Sequence, residues 1–139
     1  MERAYRNLDH TGDIGVEVWG GSREELIENA SWALVDTIAD GGKIKPQREI
    51  HWEVSADSPE SLLIRHLQEI LYQLDAHGLV FSDYSVKFTG PNSLSCMAKG
   101  EPLSRKKHGF KTEIKAVTYH HLKIWKEDEK WWARIILDV

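Results

Sequence analysis

Two stretches near opposite ends of this 139-residue chain hold the side chains best suited to chemistry. The first is His10-Thr11-Gly12-Asp13-Ile14-Gly15, a polar turn that runs straight into a strand pattern. A carboxylate at the start of a strand, here Asp13, can face solvent or an ion, and the glycines beside it let other backbone come close. A plain tight turn with Asp13 bonded to local amides accounts for the same residues. The second stretch is Ala133-Arg134-Ile135-Ile136-Leu137-Asp138-Val139. Chain ends are usually polar and frayed. This one is an apolar strand that sets Asp138 beside the carboxylate of Val139. Two anions so close repel each other unless a cation or a basic side chain compensates. The plainer alternative is a strand end with Asp138 in water.

If the two stretches meet, Asp13, Asp138 and the Val139 carboxylate make an all-oxygen donor set. Hard divalent cations such as Ca²⁺, Mg²⁺ or Mn²⁺ take such ligands, whereas zinc favours nitrogen and sulfur. His10 would join as a ligand or orient one from outside. Spacing along the chain does not bring the ends together. A central first strand lying beside the last strand would do so.

Other stretches carry weaker signals. Lys99 to Gly109 reads as a polar, basic loop that could touch phosphate or an acidic partner. Thr112 to His120 reads as a strand on which Glu113 and Lys115 share a face, either as a surface pair or as groups aimed at a ligand. His120 and His121 are adjacent on a strand and so point to opposite faces. The single cysteine, Cys96, reads as a buried core thiol, and one cysteine permits no internal disulfide. Of six tryptophans, Trp52 alternates with Ile50 and Val54 and reads as core, while Trp131 and Trp132 must face opposite ways. At most one or two indoles remain as surface platforms for bases. A net charge of −4 disfavours non-specific nucleic-acid binding, which depends on neutralising phosphates. No Gly-rich phosphate loop, G-x-S-x-G or H-E-x-x-H is present in the sequence.

The elements that must position these residues are legible from periodicity. Asp13 to Gly20 alternates, with Ile14, Val16 and Val18 on one face. Ser22-Arg23-Glu24-Glu25 is a capping box that opens a helix to about Ile38. Glu49 to Ser55 alternates again. Ser58 and Pro59 start a long amphipathic helix, and Gly78 ends it. Tyr84 to Thr89, Leu94 to Ala98, Lys111 to Tyr119, Leu122 to Lys126 and Trp131 to Val139 read as strands joined by short turns, which implies antiparallel pairing. The expected architecture is α+β: a single domain over residues 1–139, a mostly antiparallel sheet packed against two amphipathic helices on one face. No apolar run approaches the length of a membrane span, and no apolar signal core opens the chain. The cytoplasm is the expected address.

The sequence resembles the archease family. The resemblance rests on His10-Thr11-Gly12-Asp13-Ile14-Gly15 with Trp19-Gly20, the helix from Leu62-Leu63 through Leu71-Tyr72, Gly100-Glu101-Pro102, the run Thr112 to His120, and Leu137-Asp138-Val139. These fall in order across essentially the whole chain. Gly12 departs from the family's opening motif, which usually has Ala there.

The resemblance implies a small α+β protein that assists the RNA ligase RtcB and is not itself an enzyme. That ligase joins RNA ends bearing a cyclic phosphate or 3′-phosphate to a 5′-hydroxyl, notably tRNA exon halves, using GTP and a guanylylated histidine. The family promotes this guanylylation and allows multiple turnovers. Carried onto this chain, the family's metal site falls on Asp13, Asp138 and Val139, and the lysine of its K-A-[VI]-T-Y run is Lys115. RtcB is the implied partner, with RNA met only indirectly through the ligase and no membrane involved. The rival functions are a metal-dependent phosphoesterase-type enzyme and a chaperone-like modulator of tRNA modification.

Overall fold

The computed structural model describes residues 4–8 and 12–139, so His10 lies outside the described residues. The elements in order are β1 (Tyr5–Leu8), β2 (Asp13–Gly20), α1 (Arg23–Ile38), a 3-10 turn (Gly41–Lys43), β3 (Arg48–Ser55), α2 (Pro59–His77), β4 (Leu79–Gly90), β5 (Ser93–Pro102), α3 (Arg105–His108), β6 (Ala116–Glu127) and β7 (Lys130–Asp138). The strands form two antiparallel sheets, ordered β1-β2-β7-β6 and β3-β5-β4. The expected α+β class is observed, but the strands divide between two sheets and a third short helix is present.

Both long helices start where their caps dictate. The Ser22 hydroxyl accepts from the Glu25 amide at 3.1 Å, and the Glu25 carboxylate reaches back to the Gly21 amide at 3.1 Å. Ser58 accepts from the Ser61 amide at 3.1 Å, with Pro59 in the first helical turn, where a missing N–H is harmless. Gly78 ends α2 at φ +67°, a conformation that excludes most side chains, and donates to the Leu74 carbonyl at 2.8 Å. α1 packs on β2 and β7 of one sheet and β4 of the other; α2 packs on β6 and on β3 and β4. A helix between two surfaces needs more than one apolar stripe. α1 accordingly buries Ala33, Leu34 and Val35 in succession.

A histidine ties this interior together. His66 on α2 is fully buried. Its Nδ1 accepts from the Trp52 indole at 3.2 Å, its Nε2 meets the Ser31 hydroxyl at 2.6 Å, and Ser31 donates onward to the Ile27 carbonyl at 2.7 Å. Those partners assign the neutral Nε2–H tautomer. Burial pushes the ring's pKa down to about 3 from 6.5. The unfolded chain therefore binds a proton below about pH 6.5 that the folded chain refuses until about pH 3. Stability should fall on acidification by about 1.4 kcal/mol per pH unit across that window. Urea unfolding at a series of pH values checks this. His66→Gln, which cannot titrate, should flatten the slope between about pH 6.5 and about pH 4.5; an unchanged slope in that variant would assign the effect elsewhere.

The basic stretch at 99–109 is not the solvated loop that its composition suggests. β5 runs on to Pro102, and α3 forms a single turn capped by Ser104, whose hydroxyl accepts from the Lys107 amide. The buried Glu101 carboxylate is its anchor: it accepts from Lys107 Nζ at 2.7 Å, the Lys45 amide at 2.7 Å and His108 Nε2 at 2.9 Å. The Lys107 ammonium first, then the Lys45 amide and the His108 ring, hold its pKa down at about 2. Composition reports the exposed lysines; a buried carboxylate that collects their donors shows only in three dimensions. Cys96 is buried as expected, and burial pushes its thiol up to about 12.

Candidate functional site

The alternation in β2 decides which way Asp13 faces. Val16 and Val18 belong to the core cluster and Ile14 packs against it, so Asp13, Gly15, Glu17 and Trp19 occupy the reverse face. β7 obeys the same logic, with Ala133, Ile135 and Leu137 inward and Asp138, Ile136, Arg134 and Trp132 on the reverse face. The register then pairs Asp13 directly with Asp138. Directly opposed residues share a face, with Cβ atoms about 5 Å apart. The two carboxylates from opposite ends of the chain are thus cross-strand neighbours. β2 is central and lies beside the last strand, as the convergence of the ends requires, although the short β1 precedes it.

The rest of the set gathers on the same corner. Val139 follows β7 by one residue and is 38% exposed. On the far side of β7, the small Ala116 stands opposite Asp138. The Lys115 amide donates to the Asp138 carbonyl at 2.8 Å. Lys115 itself is not on a strand. The expected strand from Lys111 begins only at Ala116, because Lys111 and Thr112 turn aside to donate their amides to the Ile38 carbonyl at 2.7 and 3.3 Å. That carbonyl, at the end of α1, needs a donor from outside the helix. The shared strand face proposed for Glu113 and Lys115 is therefore absent. The exposed Lys115 lines a hollow of about 450 Å³ with Leu71, Tyr72 and Asp75 of α2.

Asp13 borders a second hollow of about 370 Å³, with Tyr5, Asn7, Asp36 and Lys111 in its wall. Sequence reasoning missed Asp36, which sits among buried residues in the last turn of α1. It accepts from the Tyr5 hydroxyl and, at 3.0 Å, from the Gly41 amide, with Lys111 Nζ 3.7 Å away. A charged residue flanked by Val35 and Ile38 on an apolar stripe is the one signal that could have marked it. Among the described residues no group of three or more His, Cys, Asp or Glu side chains is placed to hold a metal ion. Among the described residues, Asp13 and Asp138 are the side-chain carboxylates that the register pairs at this corner.

β6 carries a further departure. Instead of two strands it is one, broken by a wide bulge between Thr118 and Lys123. His121 takes φ +54° within it, and the rings of His120 and His121 lie 4.0 Å apart. Alternation fails across a bulge, so these two side chains are neighbours and not on opposite faces.

Comparison with known proteins gives one consistent result. Residues 5–139 match the Archease protein family (MTH1598/TM1083). The chain is 40% identical over 141 residues to protein archease of Pyrococcus furiosus, covering 99% of each chain. It is 34% identical to protein archease of Methanopyrus kandleri, covering 97% of this chain and 99% of that one. Among solved structures, the solution structure of Methanobacterium thermoautotrophicum protein 1598 superposes with a TM-score of 0.86 at 31% identity, over 99% of this chain and 100% of that one. A crystal structure from Thermotoga maritima described as "an archease, possible chaperone" superposes with a TM-score of 0.67 at 25% identity, over 96% of each.

Proposed function

This chain belongs to the archease family, and on that premise we propose that it activates the RNA ligase RtcB as a non-catalytic protein cofactor. It promotes the ligase's GTP-dependent guanylylation and its multiple turnover in tRNA splicing. The observation that carries the reading is the pairing of Asp13 with Asp138 across β2 and β7. Like charges directly opposite each other destabilise a sheet, so a fold that keeps two carboxylates there has a use for them.

The donor set fits a hard divalent cation, Ca²⁺, Mg²⁺ or Mn²⁺. Asp13 and Asp138 would hold it from their side chains and Val139 through its carboxylate, all oxygen. Such an ion supplies positive charge that stabilises a transferring phosphoryl group. The protein's own residues do the rest. The antiparallel ladder fixes both carboxylates on one rigid sheet face. The amide of Lys115 pins the Asp138 backbone. The Lys115 side chain, exposed beside the same corner, pairs with a phosphate or with a carboxylate of the ligase.

A guanylylation assay tests the proposal. RtcB and labelled GTP with this protein should yield more guanylylated ligase, and more joined RNA per ligase, than RtcB alone. Equal yields would reject it. The protein alone should turn over neither nucleotide nor RNA ends; turnover would favour the phosphoesterase reading instead. A specific observation favours one other role. An apolar groove of about 570 Å³, lined by Leu26, Ile27, Leu62, Phe88 and Trp131, could take hydrophobic segments of clients. That chaperone-like role predicts suppressed aggregation of unrelated proteins with no dependence on Asp138.

A further inference from the structure

The sheet that carries Asp13 and Asp138 has a second populated region on the same face. Moving along the strands away from the carboxylates, the register sets Glu17, Arg134 and Lys123 in one row across β2, β7 and β6. Arg6 of β1 extends that row. The next row is Trp19, Trp132 and Trp125. Trp19 and Trp132 have ring centroids 5.3 Å apart, and Trp132 and Trp125 are stacked at 6.0 Å with planes 11° apart. Three indoles therefore form one continuous aromatic band, where the sequence allowed one or two isolated platforms.

This band does not serve the core. Trp131, Ile124 and Leu122, which face inward, pack against the core cluster; Trp19, Trp125 and Trp132 do not, and each remains partly exposed. Two of the three indole N–H groups are already committed. Trp125 Nε1 donates to the Glu127 carboxylate at 3.1 Å and Trp132 Nε1 to the Glu127 carbonyl at 3.2 Å. Those bonds fix two of the three rings, so what the band offers a partner is the part of its aromatic surface left exposed. The cations lie against it: Lys123 Nζ is 5.1 Å and the Arg134 guanidinium 5.7 Å from the Trp125 ring. Lys130 shares the face as the neighbour of Trp132 but one. Glu17, nearly buried, is held by Arg6 and by Arg134 at 3.2 Å. Four cations thus share this face with two carboxylates, Glu17 and Glu127, beside the acidic hairpin tip Asp128-Glu129, in a chain whose net charge is −4.

We propose that this aromatic and cationic end of the open sheet face binds single-stranded nucleic acid, with bases stacking on Trp19, Trp132 and Trp125 and phosphates meeting Lys123, Lys130 and Arg134. Stacking accepts any base, because every base has a π face, and the surrounding cations track the backbone. A duplex keeps its bases stacked within itself and offers the band only phosphates. An apolar peptide would have to bury the adjoining charged row. The site gives the chain a direct contact with an unpaired strand, where the family resemblance implied contact only through the ligase.

The test uses the full chain and a fluorescein-labelled uridine oligonucleotide of about ten nucleotides. Anisotropy and indole fluorescence are followed together at near-physiological salt. Saturable binding with quenching of the indoles is expected, and a duplex of the same length should bind more weakly. Trp125→Leu should weaken binding by about tenfold, the loss of one stacked base. Lys123→Glu, an exposed change that spares the rings, should weaken it and reduce the salt dependence. Asp13→Asn should leave it unchanged, which separates this site from the carboxylate corner. Absence of saturable binding would overturn the proposal and leave the band to a protein partner. So would equal affinity for duplex and single strand, or unchanged affinity in both folded variants.

Discussion

Asp138→Asn will remove the stimulation of ligase guanylylation while the protein stays folded, and Asp13→Asn will do the same. Each change deletes one negative charge from a pair whose backbones are direct partners. If the pair places charge at a phosphoryl-transfer site, losing one member costs about a hundredfold in rate, the scale for one preorganised electrostatic group. Asp138→Asn should be as stable as the parent, or more so by about 0.5 kcal/mol, because opposed like charges no longer face each other. Activity and stability then move in opposite directions, a signature that misfolding cannot produce. Adding Ca²⁺, Mg²⁺ or Mn²⁺ should raise the melting temperature of the parent through binding to the folded state. The asparagine variants should lose that response. Full activation by either variant would dismiss the carboxylate corner. A parent melting temperature indifferent to all three cations would dismiss the metal while leaving a direct role for the carboxylates open to the activation assay.

Gly100→Ala should cause the largest loss of stability. β5 is the central strand of its sheet, between β3 and β4. A Cβ built at Gly100 would lie 1.8 Å from the Val80 carbonyl oxygen and 2.7 Å from Phe81 Cα. Both are backbone atoms of β4, which cannot rotate away as a side chain would. Gly100 pairs with Phe81, beside the irregularity at Ser82 that shifts the ladder to Asp83↔Lys99. One methyl group therefore has to separate two strands of a sheet. Overpacking of this kind costs about 3 kcal/mol or more, a large share of the total stability of a small domain. The urea midpoint should drop accordingly, and because the neighbouring Glu101 anchors α3, the region around Arg105 should lose protection from hydrogen exchange first. A midpoint within experimental scatter of the parent would mean that β4 and β5 part more easily than their packing indicates.

The parts of this structure that were legible in the sequence are those whose cause is local. Ser22 with Glu25, Ser58 with Pro59, and Gly78 each satisfy helix-end groups within a few residues, so both long helices begin or end where those residues stand. The alternation of Ile14, Val16 and Val18 is local in the same way, and with backbone periodicity it sets Asp13 on the opposite face of β2. The strands of the second half were legible in kind and not in extent. β4 starts at Leu79 and β5 ends at Pro102, beyond the alternating segments, because neighbouring strands supply hydrogen-bond partners that no local pattern announces.

Tertiary structure alone decided the rest. Nothing in the spacing of positions 13 and 138 puts them opposite each other; that follows from the register of β2 on β7, which eight successive pairs determine together. The same register assembled the tryptophan band from residues more than a hundred positions apart. It was also a distant demand, the carbonyl of Ile38 at the end of α1, that drew Lys111 and Thr112 out of the expected strand and moved Lys115 to its edge. A residue's face is set by its immediate neighbours through backbone periodicity. Its partner is set by whichever long-range pairing buries the most surface and satisfies the most backbone groups, and that quantity belongs to the whole fold.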